Sequence, residues 1–150
     1  MNIIFIEPYR HQLLPFTYTK PISELRCGIL KMKDKWKKQL PESSFSNLTE
    51  DYLSQMWPVR TEIDNLFVNA SVFPNQNIIH SILGLEPGQA LFYKDDILAY
   101  RSDEVGKYDK KLSYDGEVLI LKQVWDIFSF NHQAIAEDFE LLTENRTSEP

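Results

Sequence analysis

The fold turns on the reading of PISELRCGILKMKDKWKKQL, residues 21–40. Its apolar residues Ile22, Leu25, Ile29, Met32, Trp36 and Leu40 recur at the three-or-four spacing of one helical face. Pro21 suits a first helical position, with Thr19 as a candidate cap. The spacing therefore predicts a helix across the stretch. Gly28 breaks the pattern, because glycine inside a helix costs about 1 kcal/mol relative to alanine. Arg26 precedes it, and five lysines follow between 31 and 38.

Working outward, NIIFI at 2–6 is β-branched and apolar on both faces, as in a buried parallel strand. Between it and the helix, residues 7–21 hold three prolines and no helical stripe, which predicts a long ordered loop. Pro41 to Ser44 end the helix; SNLTEDYLSQMW then reads as a short strand end or turn followed by a helix, with Thr49 as its candidate cap. NLFVNASV at 65–72 has the density of another buried strand. NQNIIHSILG reads as a short helix closed by Gly84. QALFYKDDILAYR reads as a hairpin around Lys94 to Asp96. Residues 102–116 read as loop, EVLILK at 117–122 as a third core strand, and the segment from Trp125 as a closing helix capped by Asn131. The order implies an α/β fold: a mixed, mostly parallel sheet with a β-hairpin and helices on both faces.

Bulk composition narrows the function classes. The chain has 150 residues, a single-domain length, and 43% apolar residues suffice for a core without metal or disulfide staples. A net charge of −6 argues against nucleic acid and anionic lipid as partners of the whole surface. Cys27 is the one cysteine, so no internal disulfide forms. No run approaches a membrane span and no signal peptide is evident, so a cytoplasmic location is expected. No P-loop, G-x-G-x-x-G, nucleophile elbow or zinc-ligand cluster is present.

Two places offer chemistry. A helix start rich in cations suits a phosphate, with Lys20, Arg26 and Lys33 or Lys35 adding charge-assisted hydrogen bonds. Gly28 there admits a ligand or another backbone. The competing reading is a solvated lysine face and a glycine that relieves packing. At 69–71, Asn69 and Ser71 stand where a strand's carboxyl end meets a ligand, able to bond sugar hydroxyls; a plain turn is the alternative.

Four ordered blocks carry a resemblance: LLPFTYTKPISELRCGILKMKDKW, LTEDYLSQ at 48–55, DNLFVNASVFPN at 64–75 and WDIFSFNHQAIAEDFELL at 125–142. They resemble sugar nucleotidyltransferases of the kind common in Bacteroidetes. Those proteins are similar to the bifunctional UDP-N-acetylglucosamine pyrophosphorylase/glucosamine-1-phosphate acetyltransferase. The resemblance implies a Rossmann-like nucleotidyltransferase domain over 1–143. Residues 144–150 would then be a linker toward a C-terminal left-handed β-helix domain, through which a homo-oligomer would form. The implied substrates are a nucleoside triphosphate, UTP being expected, and a sugar-1-phosphate, with Mg²⁺ as cofactor. By position, Arg26 and Lys35 would be the catalytic cations. Lys20, Arg26, Gly28 and Lys33 would bind the nucleotide, and Asn69 and Ser71 the sugar. On this alignment the 21–40 stretch begins as a loop and becomes helix only after about Gly28. Two departures stand out. Lys20 replaces an arginine. Ser71 stands where the wider superfamily keeps a metal-binding aspartate, so Asp126 is the remaining candidate metal ligand. The alternatives are a catalytically degenerate domain that binds nucleotide or sugar nucleotide, and an assembly domain.

Overall fold

A computed structural model describes residues 1–149. Strand β1 (Asn2–Ile6) is the pivot of a six-stranded sheet. Its Ile3 and Ile4 point to opposite faces and neither is exposed, which is why the run is apolar without alternation. β2 (Ser44–Asn47) and β3 (Asn65–Asn69) flank β1, both parallel to it. β4 (Gln89–Tyr93) and β5 (Asp96–Ser102) form the expected hairpin, turned at Lys94 with φ 53°. β5 pairs antiparallel with β3, and β6 (Lys110–Ser113) runs parallel to β4 at the edge, giving the order β2-β1-β3-β5-β4-β6. Three of the five strand pairings are parallel.

Three helices cover this sheet: α1 (Met32–Gln39), α2 (Gln76–Leu83) and α3 (Val124–Thr143). Trp36 of α1, Ile78 and Ile82 of α2 and Ala134 of α3 share one core with Ile3, Phe5, Leu66 and Val68. The opposite face carries Ile4, Phe67, Ala90 and Tyr100, covered by Leu48 and Tyr108 rather than by a helix. Helices therefore lie on one face, where the sequence led to both. Stacking of Phe67 on Tyr100, with centroids 4.6 Å apart, lets an aromatic layer do the covering.

The predicted helix over 21–40 is split. Ile22–Glu24 is a single 3-10 turn, a tight turn follows over 26–31, and α1 begins at Met32, as the loop-then-helix reading expected. Residues 51–56 turn without forming the expected second helix. The strand at 65–72 stops at Asn69, because the Asn69 side chain accepts from the Ser71 amide and bends the chain. EVLILK is not a strand: Leu119 and Leu121 bond the irregular segment 71–73, and only Val72–Ile120 forms a bridge. The sequence reads β2 as a breaker running into a short strand end or turn, and β6 as loop. Both are four-residue edge strands whose single-sided burial leaves little apolar signal. α3 starts at Val124, one turn and more before the expected cap at Asn131. Gln123 and Asp126 form the capping box there.

Candidate active site

β2 and β3 lie on opposite sides of β1, so the chain reverses its direction of winding at β1. Ligands of open α/β sheets bind beyond the strand carboxyl ends at such a point. Register places Asn47 beside Phe5 and Asn69 beside Ile6, which brings three strand ends together. The loop after β1 supplies Glu7, Tyr9 and Arg10. Arg10 is buried, donating to Glu7 Oε2 at 3.1 Å, to Thr49 Oγ1 at 3.4 Å, to the Tyr52 hydroxyl at 3.0 Å and to the Thr17 carbonyl. These bonds give the proline-rich loop its order. A cavity of about 310 Å³ opens there, lined by Glu7, Arg10, His11, Thr49, Glu50 and Asp51.

On the other side of β1, the Tyr9 hydroxyl and the Lys122 ammonium both donate to Asp96, at the start of β5. The Lys122 Nζ sits 5.6 Å from the Tyr9 ring centroid. Burial alone would raise the Asp96 carboxyl, but the hydrogen bonds from Lys122 and Tyr9 outweigh it and hold it below its ordinary value. Burial first, and then the bond to Asp96, pushes the Tyr9 phenol well up. Asp96 is thus a carboxylate with one cation in place, and Tyr9 remains a donor at neutral pH.

The turn between Leu25 and α1 has a different occupant from the one expected. Gly28 has φ +83°, and a Cβ there would meet the Ala134 backbone carbon at 2.8 Å. The glycine therefore admits another backbone, that of α3. Three successive amides face α3: Gly28 donates to Asn131 at 3.0 Å, and Ile29 and Leu30 both donate to Asp138 Oδ2 at 2.9 Å. Lys35 completes the carboxylate's shell, 2.6 Å from Oδ2, with both side chains buried. An oxyanion sits in a nest of N–H groups beside a cation, but it belongs to the protein.

Lys33 and Lys31 both pair with Glu24, whose carboxyl burial would raise but which the two lysines hold below its ordinary value. Arg26 is exposed and donates to the Ile29 carbonyl. Lys20 is half-buried, with no ion pair among the described residues. Asn69 is buried, donating to the Ile97 carbonyl at 2.9 Å while accepting from Ser71. The Ser71 hydroxyl is buried and has no partner among the described residues. Asp126 Oδ2 accepts from the Lys122 and Gln123 amides at 3.0 and 2.9 Å, which is cap geometry. Lys35 and Lys33 open onto different cavities, one of about 630 Å³ between α1 and α3 and one of about 210 Å³ between α1 and β2. Gly28 and Lys35 therefore meet at Asp138, Asn69 and Ser71 meet at the end of β3, and Arg26, Lys33 and Asp126 join neither group.

Sequence reading passed over Glu7, Tyr9, Arg10, Asp96, Lys122 and Asp138. The Glu7–Arg10 spacing directly after a strand was the one local signal available. As for Mg²⁺, the described residues hold no group of three His, Cys, Asp or Glu placed to bind a metal. Glu7 and Asp96, the carboxylates at the strand ends, each already hold a cationic side chain. A Mg²⁺ ion there would rest on one or two carboxylates together with the substrate phosphates, and not on a preformed protein cluster.

Among the described residues no helix is long and apolar enough to cross a membrane. A comparison with curated proteins finds no match. The family model described as sugar nucleotidyl transferase matches residues 2–147, from the first residue of β1 to beyond the end of α3. The chain therefore belongs to the sugar nucleotidyl transferase family.

Proposed function

We propose that the chain transfers a nucleotidyl group from UTP to N-acetylglucosamine-1-phosphate, as a pyrophosphorylase of the UDP-N-acetylglucosamine kind. The observation that carries the reading is the family match across the sheet whose three parallel strand ends converge on Arg10 and Asn69. A phosphate oxygen of the sugar phosphate attacks the α-phosphorus of the triphosphate. The bond to the α–β bridging oxygen breaks, and pyrophosphate leaves. Such a displacement needs the two substrates held in line and their charges offset. In this reading Arg26 and Lys20, whose charges face solvent or lack a carboxylate partner, draw the triphosphate in. Lys122, whose side chain reaches solvent beside the β1 end, offsets charge on the phosphates, while Arg10, buried and paired with Glu7, holds the loop after β1 in shape. Lys35 and Gly28 act on the nucleotide through the turn they shape, and Lys33 through Glu24, which also pairs with Lys31 of that turn. Asn69 and Ser71, both buried, act on the sugar by shaping the end of β3. Steady-state release of pyrophosphate from UTP plus a panel of sugar-1-phosphates, with MgCl₂ added, tests this. Turnover with N-acetylglucosamine-1-phosphate supports it, and turnover only with another sugar reassigns the acceptor.

The second reading is a domain that binds a sugar nucleotide without reacting it. The hydroxyl of Ser71 in place of a carboxylate, and the absence of an acidic cluster among the described residues, favour it. Calorimetric titration with UTP and UDP-N-acetylglucosamine separates the two: heat of binding without pyrophosphate release selects the second.

A further inference from the structure

α3 leaves a stripe of large apolar side chains uncovered. Trp125 is 64% exposed, Phe128 72%, Ile135 42% and Phe139 61%. With exposed His132 and half-buried Leu142 they fall at 125, 128, 132, 135, 139 and 142, an alternation of three and four. That is the a/d seam of a helix that packs on another helix. The stripe is separate from the face that α3 gives to its own core through Ala134 and Asp138. Ile29, whose amide Asp138 holds, is 36% exposed and extends the patch.

We propose that this stripe pairs with the same stripe of a second copy of the chain, the two helices running antiparallel about a two-fold axis. The axis passes between His132 and Ile135. It sets Trp125 against Leu142 of the partner subunit and Phe128 against Phe139 of the partner subunit. Charge permits a second copy at this seam. The chain carries −6, yet its acidic residues keep off the seam and its outer flank is Ser129, Ala136 and Thr143. Glu137, Glu140 and Glu144 lie on the far side, so two acidic molecules meet there without like charges in contact. A membrane surface fits poorly, because α3 contains no lysine or arginine and its polar face is acidic. At roughly 200 Å² per aromatic, three aromatics at these exposures present about 400 Å² per copy. With Ile135, Leu142 and Ile29 the pair approaches the roughly 1,000 Å² total that a specific interface needs.

Sedimentation equilibrium of the full chain from low to high micromolar concentration tests this. A concentration-dependent dimer is expected, weakened roughly thirtyfold or more in Phe128→Glu and in Phe139→Glu, the loss typical of a central aromatic anchor. Both positions are exposed in the monomer, so unchanged circular dichroism shows that the fold is intact. Mixing Phe128→Cys with Phe139→Cys chains under mild oxidation yields a mixed disulfide dimer if the helices run antiparallel. A wild-type chain that stays monomeric, a dimer indifferent to both glutamates, or cross-linking only between like cysteines overturns the proposal.

Discussion

The Lys35 ammonium lies 2.6 Å from Asp138 Oδ2, and the same oxygen accepts from the Ile29 and Leu30 amides. One carboxylate from the last helix therefore fixes both α1 and the turn before it. Breaking a buried pair by removing one partner leaves an uncompensated charge, at a cost of about 3–5 kcal/mol. Lys35→Met and Asp138→Ala should each lose that much in urea denaturation. Lys35→Met/Asp138→Asn should recover part of it, since the asparagine oxygen still accepts from the amides. A loss under 1 kcal/mol in both single variants would show that the pair is not what anchors α3.

Gly28 is held in a left-handed conformation against the α3 backbone. Alanine there adds strain of roughly 1–3 kcal/mol and a 2.8 Å contact that only a shift of α3 relieves. Gly28→Ala should lower Tm and raise hydrogen exchange along α3. If the melt is unchanged and only nucleotide binding suffers, the glycine serves a ligand and the packing role fails.

Asp126 separates capping from metal chemistry. As a cap, Asp126→Ala costs about 1 kcal/mol and leaves kcat within a fewfold of the parent. As a metal ligand it would abolish turnover at any temperature where the protein is folded. Thermal melts and steady-state rates on the same preparation decide between them.

Acid should weaken the link that Asp96, at the start of β5, makes between Tyr9 and Lys122. The folded Asp96 carboxyl lies below its unfolded value of about 3.9, so its contribution is fully present above that value. It is lost as pH falls through the lower folded value. Asp96→Asn and Lys122→Met should therefore destabilise the protein at pH 7, with the deficit shrinking in progressively more acid buffers. A deficit independent of pH would mean that packing, and not the ion pair, is what the variants remove.

What the sequence made legible was what is local. NIIFI, the 76–83 helix with its Gly84 end and the hairpin at Lys94 all follow from runs of neighbouring residues. Edge strands β2 and β6 escaped because burial on one side needs few apolar residues. Gly28 was readable as a place of close approach, but not what approaches: Asp138 lies 108 or more residues from the amides it holds. The Lys122–Asp96 pair, 26 residues apart, was hidden too, because Asp96 read only as part of the hairpin turn and Lys122 only as the end of an expected strand. Arg26, conspicuous beside the glycine, is exposed and donates to a carbonyl three residues away.

The most direct test of the central claim is isotope exchange. Labelled pyrophosphate is incubated with UDP-N-acetylglucosamine, MgCl₂ and the chain, and label is followed into UTP. Nucleotidyl transfer predicts label in UTP that depends on both the sugar nucleotide and the protein. It also predicts a sharp loss of that label in Lys122→Met, at a temperature where the variant is folded. Folded protein that gives no label above blank, with this or any other UDP-sugar, would contradict the account.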